Sequence, residues 1–161
     1  MNNDTDIKKR IETYQKQEEV LQFEHFSNED ALDVGLLLVE YAKEKKYAVA
    51  IDITVNGYQM FKYGFAGASI NNDKWIRRKI NVVNSINKSS MLLGAMLESE
   101  NLDMEKDYRL SNEDYAFHGG GFPIRIKGTG VIGTICVSGR PQQEDHQMII
   151  DVLSKYLKKQ V

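Results

Sequence analysis

A single cysteine, Cys136, allows no intramolecular disulfide and no multi-cysteine metal cluster, so packing and hydrogen bonds alone must hold the fold. That cysteine usage fits a reducing cytoplasm. With 2 Pro and 12 Gly in 161 residues, collagen-like and low-complexity chains are excluded. Excess charge of one sign is also missing: 21 Lys+Arg stand against 23 Asp+Glu, a net charge of −2. Without a positive field or interleaved basic and aromatic runs, nucleic acid is not an expected partner. No apolar run approaches the roughly 18 residues that span a bilayer, so no membrane partner is expected. The first ten residues, MNNDTDIKKR, are polar where a secretion signal needs an apolar core, which again points to the cytoplasm. Internal repeats and linker-like stretches are absent. What remains, 42% hydrophobic and 27% charged residues, describes one globular domain over residues 1–161. A chain of this length buries roughly 68–70% of its unfolded surface.

Residues 4–17 are highly charged, with apolar side chains spaced for a helix only at Ile7, Ile11 and Tyr14. A helix over residues 1–18 with a role in subunit contacts is expected. Residues 20–26 alternate as a strand does. Ser27-Asn28-Glu29-Asp30 then has the side-chain acceptor and acidic third position that open a helix, which should run to about Lys46 on a stripe of Leu32, Leu36, Val39, Tyr41 and Ala42. Lys43, Lys45 and Lys46 suit its carbonyl pole. Residues 47–55 and 58–63 flank Asn56-Gly57, a strong hairpin signal. A long helix over 72–98 follows, with an interruption expected near Ser89-Ser90 or Gly94. After an irregular connection, residues 122–127 and 131–138 form a second hairpin, and Pro141 marks the start of a last helix to about Lys159.

The order α-β-α-β-β-α-β-β-α predicts an α/β chain of the α+β type, with a five-stranded, mainly antiparallel sheet flanked by helices. Residues 131–137 are apolar on both faces, as in a central strand covered on both sides. Helices on one side and a neighbouring subunit on the other would provide that cover.

On the long helix, Trp75, Val82, Val83, Ile86, Leu93 and Leu97 fall on one arc with Lys79 at its centre, while Arg77 and Arg78 project elsewhere. An ammonium turned toward apolar surroundings is costly unless an anion meets it or its stem lets it reach water. An internal carboxylate such as Asp52 or an acidic ligand would serve. His118 precedes Gly119, Gly120 and Gly121, a run that lets backbone N–H groups approach a ligand and equally suits a tight turn. His118 is the first candidate for a metal bond, although one imidazole specifies no metal. Asp145 and His146 lie in the first turn of the last helix, where capping with a surface imidazole is the plainer reading. His25 reads as a sheet histidine and Cys136 as buried and inert. Gly-x-Ser-x-Gly and His-Glu-x-x-His are absent, so no catalytic residue is assigned.

The runs Gly119-Gly-Gly-Phe-Pro-Ile124 and Gly130-Val-Ile-Gly-Thr-Ile-Cys-Val-Ser-Gly139 resemble the GlcG/HbpS-like family, also described as the haem-degrading domain family. Trp75-Ile-Arg-Arg-Lys79, Ser89-Ser90, His118-Gly-Gly-Gly-Phe-Pro123 and Ser138-Gly-Arg-Pro-Gln-Gln-Glu-Asp-His146 are similar to its uncharacterised small-protein branch. The resemblance implies a profilin-like fold, assembly into dimers or larger homo-oligomers, and binding of haem or another acidic small molecule in some relatives. Together with the residue reading it suggests a binding protein whose ligand sits between the long helix and the 119–121 turn. Lys79 would meet an acidic group and His118 would add a hydrogen or metal bond, with Trp75, Asp145 and His146 as secondary candidates. A non-catalytic assembly protein and an enzyme using Lys79 or His118 as acid or base are the alternatives.

Overall fold

The computed structural model describes the backbone of residues 2–161 and the side chains of 5–161. The beginning of the expected first helix, at residue 1, lies outside the described residues. The elements are α1 (Asn2–Val20), α2 (Asn28–Lys45), β1 (Ala50–Val55), β2 (Tyr58–Gly64), α3 (Ile70–Ile86), α4 (Ser90–Glu100), α5 (Met104–Tyr108), β3 (Gly121–Ile126), β4 (Gly130–Ser138) and α6 (Gln142–Leu157). The four strands form one antiparallel sheet in the order β2-β1-β4-β3. Both expected hairpins are present, and Asn56 and Gly57 take the positive φ values, 50° and 79°, that a two-residue turn of this hand requires.

The expected fifth strand is not there. α1 continues to Val20, and the few residues left before the Ser27 cap leave room for one parallel bridge, Phe23 to Ile126. Phe23 donates to Arg125 O at 2.8 Å and accepts from Lys127 N at 2.9 Å, which partly covers the β3 edge. The long helix is likewise two helices. Asn87, at φ 58°, closes α3 and Ser89 caps α4 by accepting from Leu92 N, so the break falls at 87–89 while Gly94 stays inside α4.

Strand alternation sorts the two faces of the sheet. Ile51, Ile53, Ile135 and Val137 enter the main core beneath α2 and α6. Ala50 and Cys136 face the other way and pack on Ile76 of α3. β4 is therefore covered by helices of its own chain on both sides, and no neighbouring subunit is needed there.

α2 has the expected capping box between Ser27 and Asp30, but its buried stripe is Ala31, Val34, Gly35, Leu38, Val39 and Ala42. Leu32 and Leu36 point outward, 50% and 53% exposed. The stripe rotates because Gly35 presses against Phe61 of β2: a Cβ there would lie 2.5 Å from that ring. α1 docks on α4 of its own chain. Arg10 pairs with Glu98 at 2.9 Å, and buried Glu18 accepts from Ser89 N at 2.7 Å.

Candidate functional site

α3 lies across β4, and its buried side chains Ile76, Lys79, Val82 and Val83 include the lysine that the sequence turned inward. Lys79, 3% exposed, donates to Val137 O at 2.9 Å and to Asp145 Oδ2 at 3.3 Å. The anion that meets it is thus Asp145, from the first turn of α6. Asp52 is buried elsewhere on β1, held by Thr54 Oγ1 and Gln59 Nε2, both at 2.6 Å. Asp145 also accepts from Arg140 N at 2.9 Å and Gly139 N at 3.3 Å, so the pair ties α3, the end of β4 and the start of α6 together. Burial raises the Asp145 carboxyl above its ordinary range, and the Lys79 charge and the Arg140 N–H offset this only in part.

The glycine run packs onto that pair. A Cβ on Gly120, whose φ is 118°, would lie 2.4 Å from Val137 O and 2.6 Å from Lys79 Nζ. On Gly119 it would lie 2.3 Å from Gln142 O, and on Gly121 3.1 Å from both Lys79 Cβ and Ser90 Oγ. The three glycines therefore answer close approach to α3 and α6. Their donors are partly engaged: Gly119 N donates to Gln142 Oε1 at 3.1 Å and Gly121 N to Ser90 Oγ at 3.0 Å.

His118 stands half-buried above this floor, stacked on Phe117 at 5.1 Å and meeting Trp75 edge-on at 5.2 Å. Arg78 lies over the other ring of that contact, 4.6 Å from the Trp75 centroid. The Nδ1 of His118 is shielded from solvent and has no hydrogen-bond partner among the described residues. Burial, then the charges of Lys79 and Arg78, lowers the His118 pKa, which keeps the imidazole neutral with one N–H to donate and one nitrogen to accept.

A cleft of about 260 Å³ opens here, lined by Asn71, Asn72, Trp75, Lys79, His118, Gly119, Ser138, Gly139, Arg140, Gln142 and Asp145. A second hollow of about 340 Å³, with Met91, Leu97, Leu102 and Phe117 on its walls, meets it at His118 and Gln142. Of the expected site residues, Lys79, His118, Gly119, Trp75 and Asp145 line the first cleft, with Gly120 and Gly121 packed beneath. His146 does not join them and is no surface cap. It is 2% exposed, bonds Gln17 Oε1 through Nε2 at 2.8 Å, and lies edge-on to Tyr14. Burial pushes its pKa down to about 4. His25 is exposed and stands 3.7 Å from Asp30, and burial pushes the Cys136 thiol up to about 12. Among the described residues no three His, Cys, Asp or Glu side chains gather as a metal site.

The full run of residues 26–154 matches the family described as haem degrading protein HbpS-like. The chain belongs to the HbpS-like family. Among curated relatives, a UPF0303 protein of Streptomyces coelicolor is 41% identical over 143 residues, 89% of this chain and 90% of that protein. Among solved structures, the Ybr137w protein superposes with a TM-score of 0.85 at 28% identity, covering 92% of this chain and 87% of its own. A PduOC–haem complex shares the fold at a TM-score of 0.69 and 15% identity, over 80% of this chain and 93% of its own.

In this HbpS-like chain the four separated motifs meet at one place: Trp75 and Lys79 from α3, Ser90 from α4, residues 118–121, and 138–145 at the turn into α6. Asn71, Asn72, Arg140 and Gln142 also line the cleft and were not singled out from sequence. Arg140 and Gln142 stood inside the quoted 138–146 motif, while nothing in the pattern marked the two asparagines.

Proposed function

We propose that this chain is a cytoplasmic, homo-oligomeric binding protein for a small anionic molecule, held in the cleft between His118, Trp75 and Arg140. One observation carries the reading. Asp145 is the one carboxylate among the described lining residues, and it already accepts hydrogen bonds from Lys79, Gly139 N and Arg140 N. The groups still able to bond a guest are mainly donors. Arg140 uses Nε on Glu144 and lies over Tyr47, leaving its terminal N–H groups. The first turn of α6 follows Pro141, which provides no side-chain cap. His118 adds its imidazole. Lys79 shapes the floor rather than neutralising the guest, because its charge is met within the chain. With neither a nucleophile nor an orienting carboxylate bonded to it, His118 is assigned to holding the ligand rather than to proton transfer.

Haem, named in the family description and bound in the PduOC complex, fits this site poorly. At about 260 Å³ the cleft lies below the roughly 300 Å³ from which ligand pockets run, and Asn71, Asn72, Arg140 and Gln142 share its walls with Trp75. An iron-bound histidine ordinarily donates its second ring N–H to a carboxylate or carbonyl, and His118 Nδ1 has no such partner.

Calorimetric titration with inorganic phosphate and with small di- and tricarboxylates tests the proposal, alongside haemin followed by its Soret band. Saturable binding of an anion is expected, weakened roughly 10- to 100-fold in His118→Ala and Arg140→Ala, as loss of a hydrogen bond involving a charged group implies. Absence of anion binding, binding unchanged in both variants, or a saturable Soret shift abolished by His118→Ala would overturn it.

A further inference from the structure

We infer that the guest of the cleft is an anion carrying one apolar arm, a single aromatic ring or a short acyl chain, and that the arm lies in the neighbouring hollow beyond His118. The inference rests on the reading of the first cleft as an anion site and names the rest of the molecule. The two hollows share only His118 and Gln142 among their walls and otherwise differ in kind. Around the first stand Asn71, Asn72, Arg140 and the Lys79–Asp145 pair. The second, about 340 Å³, is walled by Met91, Ala95, Leu97, Leu102 and Phe117. Its two charged residues, Arg10 and Glu98, bond each other at 3.2 and 2.9 Å, and Asn101 is exposed at the end of α4. This hollow therefore offers no net charge to a second anionic group, and its inner wall is hydrocarbon.

Size sets the arm. A dry apolar cavity of about 150 Å³ already holds benzene, so a hollow of about 340 Å³ takes one ring or a short acyl chain with room to spare. Together the two hollows reach the ordinary range of ligand pockets, about 300–1,000 Å³. Continuity sets the joint. Met91 of the second hollow packs against the backbone of Gly119 in the first, where a Cβ would lie 3.1 Å from its Sδ. Gln142 Oε1 takes the Gly119 N–H, which leaves the amide N–H groups of Gln142 to donate to an ester or ether oxygen between head and arm. His118, its Nδ1 unpartnered among the described residues, stands at the same passage. A guest that fills both hollows must narrow between these two side chains, which a jointed molecule does and a broad plate such as a porphyrin does not.

Calorimetric titration of the full chain with two matched pairs, inorganic phosphate against phenyl phosphate and acetate against phenylacetate, tests the arm. In a pair whose head group binds, the ring should tighten binding roughly 10- to 100-fold, the gain from burying a phenylalanine-sized side chain. Leu102→Trp, at a half-buried wall position, should fill the hollow and remove that advantage while leaving phosphate affinity unchanged. With isotope-labelled methionine methyl groups, phenyl phosphate should shift the resonance that is lost in Met91→Leu far more than inorganic phosphate does, which places the ring without relying on the Leu102 variant. Phosphate and acetate binding as tightly as their phenyl partners, or a phenyl advantage that survives Leu102→Trp with the Met91 resonance unmoved, would overturn this inference alone. Failure of every one of these anions to bind would overturn the reading of the cleft and this inference together.

Discussion

Replacing Lys79 by methionine keeps most of the side chain's length and removes its charge, leaving Asp145 with the N–H groups of Gly139 and Arg140 alone. Both partners of the ion pair are 3% exposed at the side chain, so solvent does little to screen the loss. Breaking a buried pair by removing one member costs about 3–5 kcal/mol, because the survivor remains buried and uncompensated. For a domain of this size each kcal/mol moves the melting temperature by about 2–4 °C, so Lys79→Met should melt roughly 6–20 °C lower. Asp145→Asn should cost a similar amount, since Lys79 then faces only neutral acceptors. The double variant should cost clearly less than the sum, with a coupling energy of at least about 1.5 kcal/mol. Urea unfolding at fixed protein concentration, supported by calorimetry, measures all three. A Lys79→Met cost below about 1 kcal/mol, or strict additivity, would refute the argument that this pair ties the site together.

Other outcomes follow from the same geometry. Gly120→Ala should cost more than about 3 kcal/mol or prevent folding, since a methyl group there combines left-handed strain with contact on Val137 O; Gly128→Ala, with a φ of 74° and open space around it, should cost about 1–2 kcal/mol. Ser90→Ala leaves Gly121 N without its acceptor inside the protein and should cost about 1–3 kcal/mol by chemical denaturation. His146 has a folded pKa depressed to about 4 from 6.5, so the stability it contributes is full above pH 6.5 and is lost as pH falls toward 4, on the order of 3 kcal/mol. Stability profiles of wild type and His146→Phe should diverge in that window, with the flatter curve in the variant; parallel curves would show that burial does not hold the imidazole neutral. Asp145 and Glu18 act oppositely, their raised pKa values making the folded chain gain from their protonation as pH falls, which is why the comparison with His146→Phe is needed.

Much of this architecture is legible in local chemistry. The Ser27 capping box, Asn56-Gly57 and Pro141 each set a boundary through contacts within a few residues, and all three lie where the chain places them. The inward turn of Lys79 followed from helical spacing alone. Errors arose where a distant contact outweighed a local pattern. Alternation at 20–26 gave way to an α1 anchored on α4 and α6 by Glu18 and Gln17. The apolar stripe on α2 rotated because Phe61, 26 residues away, occupies the face that Gly35 leaves bare. The identity of the acid on Lys79 was unreadable for the same reason: Asp145 lies 66 residues away, and only the fold brings the start of α6 under α3. His146 illustrates the limit from the other side, since its position in a first turn suggested the surface, and only the docking of α1 over it explains its burial.

The claim at the centre of the account, a neutral imidazole waiting beside a donor-lined cleft for an anion, is tested most directly by following the His118 ring resonances through a pH titration, with and without inorganic phosphate or a tricarboxylate. The account predicts a pKa below 6.5 in the free protein, and a rise on adding the anion as the bound negative charge favours the imidazolium. A His118 that titrates unchanged with every anion offered, or one already above 6.5 in the free chain, would contradict it.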